Sequence, residues 1–421
     1  VSSFKDLGLT LALCQSLSKA GLREPFPIQT QTIPDILSGC DVLAKGPTGS
    51  GKTFAFGLPI LSLLAGAPSL PGHPRALILA PTRELSQQIL DSLSPHAAAV
   101  GLRMVAVIGG VPLAKDRRLL AAPVDVLIAT PGRAIDLVNH GLIHLDQVAI
   151  TVLDEADEMS DQGFLPQVRT LLEGTPQQSQ RLLFSATLDE DITEIVRRFL
   201  HDPQEHTCTE NASQNDQKRY VVFRVNNARE RQHILARIAT RQGQSVCFVR
   251  TRHSVERQRA ALQRYGISVS ALSGAQTQRQ RQDALDGFRT KRSNMLIATD
   301  IAARGIDIPQ MDLIVHLEPP QDLKSFIHRS GRTARAGSYG TVVMMCLPKQ
   351  VSVLHQVLGQ AQVKASWYEV HPRSPELERI LGAMEFPSFT REPQRTPNRS
   401  TRTRRLNRNR RYFRKDAHKA R

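Results

Sequence analysis

The eight residues Gly46-Pro47-Thr48-Gly49-Ser50-Gly51-Lys52-Thr53 permit few folds. They follow the apolar Val42-Leu43-Ala44 and spell G-x-x-x-x-G-K-[ST], a loop whose backbone N–H groups and lysine cradle phosphates. Such a loop asks for a strand before it and a helix after it. A second stretch answers it about a hundred residues on. The apolar run Val148 to Leu153 ends abruptly in Asp154-Glu155-Ala156-Asp157, the pattern of a buried strand delivering carboxylates to a sheet edge. Thr53 and Asp154 would hold Mg²⁺ through oxygen ligands, and Glu155, beside the metal, would orient or deprotonate an attacking water. Three acids after a strand are, alone, an ordinary solvated loop. Paired with the phosphate loop they point to binding and hydrolysis of a nucleoside triphosphate.

The rest of the chain repeats one rhythm. Apolar runs at Ala76–Leu79, Met104–Ile108, Val124–Ile128, Val148–Leu153 and Leu182–Phe184 are separated mostly by helical stretches such as Glu84–Leu93 and Ala134–Val138. Helices are also expected around Leu7–Ala20 and Ile28–Leu37. Strand alternating with helix predicts a parallel sheet covered on both faces, with ligands gathered at the carboxyl ends of the strands. Each run ends in small, polar or charged residues: Pro81-Thr82-Arg83-Glu84-Leu85, Gly109-Gly110, Thr130-Pro131-Gly132-Arg133, Asp154 to Asp157, and Ser185-Ala186-Thr187. One such ending is a plain turn; five in register suggest a functional rim.

The pattern lapses around residues 206–218, a polar, aperiodic linker. It restarts at Tyr220–Val225, Val246–Val249, Val269–Leu272, Met295–Ala298, Leu313–Leu317 and Thr341–Cys346. The expected domains are 1–205, 219–370 and a tail, 371–421. The second domain has no phosphate loop but offers Thr299 to Asp307 and His328 to Gly337. Arg332 and Arg335 would share a helix face, and planar guanidinium groups suit the charge of a transferring phosphoryl group. A site completed when two domains close is therefore expected. Gln29 reads either as a surface residue in a helix's first turn or as an amide that pairs with adenine.

Charge is uneven. The chain is formally +16, and residues 391–421 alone hold thirteen Lys/Arg against Glu392 and Asp416. The tail is Pro-, Arg- and Asn-rich with few aliphatics, so it is expected to be disordered and to meet a polyanion such as nucleic acid. No run of 18 apolar residues marks a membrane span, and the first residues carry no secretory h-region. Cys14, Cys40, Cys208, Cys247 and Cys346 are scattered, which reads as buried thiols in a reducing compartment rather than a metal knuckle.

Taken together, these motifs resemble the DEAD-box RNA helicases of superfamily 2, over roughly residues 4–346. The resemblance implies two tandem RecA-like domains, ATP and Mg²⁺ as cofactors, and RNA as partner, alongside possible ribonucleoprotein partners and no membrane. Phe4 would stack on adenine, the Q motif would end at Gln29, and Gly46 to Thr53 would hold the phosphates. Asp307, with Gly305 in the same motif, would bind the ribose. Lys52, Glu155, Arg332 and Arg335 would be catalytic. Pro81, Thr82, Arg83, Gly110, Thr130 and Arg133 would grip the RNA backbone on the first domain. Gln278, Arg281, Thr299 and Asp300 would lie near RNA on the second. Asp157, Ser185, Thr187 and His328 would couple the two sites. Phe26, Gly46 and Ala334 depart from the family's usual residues. The implied activity is ATP-dependent RNA unwinding in the cytoplasm. The alternatives are an ATP-dependent RNA clamp that turns over slowly, a DNA helicase, and, with poor support, another kind of P-loop ATPase.

Overall fold

A computed structural model describes residues 3–47, 49–208, 218–274, 276–303, 311–333 and 339–383. The first lobe runs α1 (Leu11–Lys19), α2 (Pro27–Leu37), β1 (Val42–Lys45), α3 (Lys52–Leu64), β2 (Ala76–Leu79), α4 (Arg83–Ala99), β3 (Met104–Val107), α5 (Leu113–Leu120), β4 (Val126–Ala129), α6 (Pro131–Asn139), β5 (Ile150–Asp154), α7 (Ala156–Asp161), α8 (Leu165–Glu173), β6 (Gln180–Ser185), α9 (Glu190–Phe199) and β7 (Gln204–Thr207). The second runs β8 (Lys218–Arg224), α10 (Ala228–Ala239), β9 (Ser245–Phe248), α11 (Arg252–Arg264), β10 (Ser270–Leu272), α12 (Gln278–Arg289), β11 (Met295–Ala298), α13 (Asp300–Ala303), β12 (Leu313–His316), α14 (Leu323–Ser330), β13 (Gly340–Cys346), α15 (Val351–Gln360), β14 (Ala365–Glu369) and α16 (Glu376–Leu381).

Each lobe holds a seven-stranded parallel sheet. The orders are β3-β4-β2-β5-β6-β1-β7 and β10-β11-β9-β12-β13-β8-β14, the same topology stated twice. Alternate strand residues feed two cores. In the first lobe Leu43, Leu77, Leu127, Leu153 and Leu183 face α6, α8 and α9. Val42, Ile78, Ile128, Val152 and Phe184 face α2, α3 and α4 on the other side. Burial on both faces explains why these strands are near-continuously apolar.

Two of the four edge strands, β7 and β14, are not visible in the apolar pattern. Gln204-Glu205-His206-Thr207 is polar, yet it pairs with β1 along its length. Its ends are tied by Gln204 N–H to the Asp41 carbonyl and Cys208 N–H to the Lys45 carbonyl, each at 2.8 Å. Polarity is what an edge needs, since only one side of it is covered.

At the opposite end of the first sheet, Asp125 closes a buried network. Its carboxylate accepts from Arg75 Nη2 at 2.6 Å, from the Arg103 N–H at 2.8 Å and from the Ser69 hydroxyl. Burial alone would raise this carboxyl; the bonds from Arg103, Ser69 and Arg75 outweigh it and hold the group below the usual carboxylate range.

Several expectations need correction. The first helix starts at Leu11, because Gly8 at φ 90° turns the chain and Leu7 and Leu9 are buried in that turn instead. The chain is packed as far as residue 383, beyond the expected end of the second domain. Leu377 and Leu381 are buried one helical turn apart, and Arg237 donates to the carbonyls of Pro372, Ser374 and Ala383. The rest of the tail, with the residues between 208 and 218, lies outside the described residues. Only Cys247 and Cys346 are buried thiols; Cys14, Cys40 and Cys208 are half-buried, and all five are free. No helix among the described residues is long and apolar enough to cross a membrane.

Candidate active site and nucleic-acid cleft

The phosphate loop leaves β1 and re-enters order at α3. Gly49 and Gly51 have φ near 90°, where a side chain is strained. Gly51 also needs the space: a Cβ there would lie 2.6 Å from Gln29 Nε2 and 2.9 Å from the Phe26 ring. Gln29 is buried and braces the loop. Its Nε2 donates to the Gly51 carbonyl at 3.0 Å, and its Oε1 accepts from Phe26 N–H at 2.9 Å. Gly46 N–H bonds the Ser185 carbonyl, which locks the loop's start to β6. Lys52 is buried in the first turn of α3, and its ammonium donates to the Gly46 carbonyl at 3.0 Å. Pro47 and Ser50 complete the described loop; Thr48 lies outside it. Phe4 is buried near the N-terminus. Its ring packs with Leu7, Leu17, Ile33 and Leu58.

β5 ends in Asp154, which is 2% exposed. Burial, opposed by the nearby Lys52 and reinforced by Glu155, raises this carboxyl to about 7. Glu155 then adopts φ 52°, a left-handed conformation costly for a residue with a Cβ. That kink ends the strand and starts α7, with the Glu155 carbonyl accepting from Glu158 and Met159 N–H. Lys52, Glu155, Asp157, Ala186, His328 and Arg332 line one small cleft. A lysine, a carboxylate and an arginine from different elements can there bind phosphate oxygens and direct a water. Thr53 follows Lys52 on α3, and by residue type its hydroxyl and the carboxylates of Asp154 and Glu155 are hard oxygen donors.

Asp157 joins the pieces. Its Oδ2 accepts from Thr187 N–H at 3.2 Å and Thr187 Oγ1 at 3.1 Å, and lies 3.4 Å from His328 Nε2. Its N–H donates to Ser185 Oγ, which in turn donates to the Thr187 carbonyl at 2.6 Å. Burial alone would raise the Asp157 carboxyl. The hydrogen bond and charge of His328, with Lys52 and Lys324, hold it well below the usual range instead. All four expected coupling residues are thus in one network.

A separate, open cleft crosses both lobes and is lined by Pro81, Thr82, Arg83, Thr130, Gln276 and Arg281 among others. Thr82 caps α4 by accepting from Leu85 N–H at 3.2 Å, and Gly109 N–H reaches Thr130 Oγ1. Gly110 has φ 78°, and a Cβ there would meet Arg83 Nη1 at 2.5 Å. Three expected contacts are otherwise engaged. Arg133 is 8% exposed, bonds Asp116 at 2.7 Å and donates to the Val111 carbonyl, so it braces the cleft wall. Arg281 bonds Glu84 of the other lobe at 2.7 Å. Asp300 takes a bidentate grip from Arg329, at 2.5 and 2.6 Å. Thr299 caps α13 through Ala302 N–H. Gln278 opens α12, and its side chain lies outside the description.

Arg332 is not on a helix, contrary to expectation. α14 ends at Ser330 with Gly331 as its cap, and Arg332 follows in the turn. Gly305, Asp307, Ala334 and Arg335 lie outside the described residues. The sequence reading missed Gln276, which holds the Ser273 N–H at 3.0 Å beside the cleft, and Lys324. Lys324 had a signal, since it precedes His328 by four residues and shares its helix face.

Comparisons with known proteins agree with this geometry. The DEAD/DEAH box helicase profile matches residues 26–195, and the helicase conserved C-terminal domain matches residues 229–337. The ATP-dependent RNA helicase RhlB of Xanthomonas axonopodis pv. citri (strain 306) is 36% identical over 390 residues, covering 89% of this chain and 68% of that protein. This chain belongs to the DEAD-box helicase family. DEAD-box ATP-dependent RNA helicase 53 of Oryza sativa subsp. japonica is 36% identical over 366 residues, 84% of this chain. The chain spans 60% of that relative's length. The structure of S. cerevisiae Dbp5 bound to RNA and ADP BeF3 superposes with a TM-score of 0.79 at 26% identity, covering 91% of this chain and 99% of the other. The two sheets are the tandem RecA-like domains of the family.

Proposed function

We propose that this chain is an ATP-dependent RNA helicase: it hydrolyses ATP to ADP and phosphate when RNA is bound, and unwinds short duplexes locally or remodels RNA–protein complexes. The observation that carries this reading is Asp157, one carboxylate shared by the Ser185–Thr187 turn and His328 of the second lobe. Such a group makes the hydrolytic site sensitive to lobe approach.

Backbone N–H groups of the loop and Lys52 hold the phosphates, and Gln29 with Phe26 supports the loop beside the base. Glu155 orients the attacking water and accepts its proton. Arg332 enters the same cleft and meets charge developing on the γ-phosphate oxygens. Asp307 and Arg335 are proposed for the ribose and for the second arginine contact. A divalent cation fits Asp154, Glu155 and Thr53, because a buried carboxyl raised by burial gains from a hard cation beside it. Mg²⁺ when bound would neutralise phosphoryl charge. Pro81, Thr82, Arg83 and Thr130 line a cleft, with Gly110 against Arg83, suited to backbone contacts that carry little sequence preference. A strand bent by lobe closure no longer fits a duplex. The working domains are the first lobe, through residue 208, and the second, from residue 218 to 383, with the basic residues beyond 383 as a further RNA contact. A cytoplasmic location is proposed on the cysteine pattern.

The test is steady-state ATP hydrolysis with and without single-stranded RNA, with matched DNA as control. Strong stimulation by RNA supports the reading. Equal stimulation by DNA overturns the RNA assignment, and ATP-dependent RNA binding with little turnover would make the chain a clamp.

A further inference from the structure

Lys324 belongs to none of the family motifs identified above, yet it makes two contacts across the lobes. Its ammonium lies 2.8 Å from Asp161 Oδ1 and 3.2 Å from the Asp157 carbonyl. Asp161 is the last residue of α7, and Asp157 is its second. Lys324 and His328 are four apart on α14, about 6 Å along the axis, and Asp157 and Asp161 have the same separation on α7. The pairs run antiparallel: His328 meets Asp157, and Lys324 meets Asp161. Two rungs of matched spacing join the helices.

One rung would leave α14 free to swing about His328. The second rung fixes that angle. The angle matters because Arg332 lies four residues beyond His328, in the turn that leaves α14, on the far side of the pivot from Lys324. It lines the same cleft as Lys52 and Glu155. A swing at Lys324 therefore becomes a displacement of Arg332, and small misplacements of a group acting on the transition state are costly in rate.

We propose that Lys324 is a positioning residue: with Asp161 it forms the second rung that sets the angle at which Arg332 enters the hydrolytic site on closure. The proposal rests on the ATPase reading for its catalytic consequence, but the rung itself can be tested without turnover.

The experiment is a charge-swap cycle in the full chain: Lys324→Asp, Asp161→Lys, the double swap, and Lys324→Arg. Three quantities are read: kcat at saturating ATP and RNA, ADP affinity, and lobe approach by energy transfer between dyes on the two lobes, with and without RNA and ADP–beryllium fluoride. Each single reversal is expected to lower kcat about tenfold and reduce the closed fraction, with ADP affinity unchanged. The double swap should recover kcat to within about threefold, and Lys324→Arg should stay near the parent. A double swap no better than the worse single, or singles that leave kcat and closure unchanged, would overturn the proposal. A parent that closes, and closes through this pair, but shows no RNA stimulation would sink the helicase reading and leave the rung standing. A parent whose lobes never approach would sink both.

Discussion

His328 Nε2 of the second lobe lies 3.4 Å from Asp157 Oδ2 of the first, on the carboxylate that also accepts from Thr187. The strand–turn segment after β6 and the helix that leads to Arg332 thus share one acceptor. Replacing His328 by Ala leaves the first lobe's own bonds to Asp157 intact. We expect RNA-stimulated turnover to fall about tenfold or more while ADP affinity stays within about twofold. Parallel titrations of ADP and RNA against ATP hydrolysis would check this; an equal loss of ADP affinity would contradict it.

Glu155 is held by a left-handed backbone at the end of β5, pointing its function at the cleft rather than at the fold. Glu155→Gln keeps the shape and removes the proposed base. Turnover should drop by about 10² or more, with nucleotide and RNA binding retained. Single-turnover hydrolysis beside equilibrium binding separates the two outcomes.

Gly110 is the close approach that leaves room for Arg83. Adding a methyl group at φ 78°, 2.5 Å from the guanidinium, must move Arg83 or the loop. Gly110→Ala should weaken RNA binding about tenfold and leave nucleotide binding unchanged. Fluorescence anisotropy with a labelled single strand reads the effect directly.

Asp125 lies far from both clefts and gives a stability prediction. Its carboxyl is held below the ordinary value, so it contributes stability that is complete above about pH 4 and is lost as pH falls through the folded-state ionisation. Asp125→Asn should cost on the order of 2 kcal/mol at pH 7. The gap between variant and parent should narrow below pH 4. Denaturant unfolding at pH 7, 5 and 3.5 would test it, and a gap independent of pH would refute it.

Much of the architecture was legible because buried parallel strands must be apolar on both faces. Val246–Val249 and Leu313–Leu317 reveal themselves within a residue of their observed bounds, 245–248 and 313–316. β7 escaped because an edge strand with an exposed flank is built from Gln204, Glu205 and Thr207, polar residues that make no apolar run. The site was legible by residue type, and its wiring was not. Sequence singles out Arg133, Arg281 and Asp300 as candidate contacts, but a guanidinium reads the same whether it faces a ligand or a carboxylate. Only packing shows Arg133 turned to Asp116 and Arg281 to Glu84. Lys324 was overlooked for a related reason: its partner is 163 residues away in sequence.

The lobes meet through ion pairs of unequal shelter. Arg281 and Glu84 are 13% and 10% exposed, whereas Lys324 and Asp161 are 22% and 34% exposed. Mobile counter-ions screen an open pair sooner than a sheltered one. Raising the ionic strength should therefore loosen the grip beside the phosphate loop while the bridge beside the open cleft still holds, so that the two proposed activities part company along a single experimental axis.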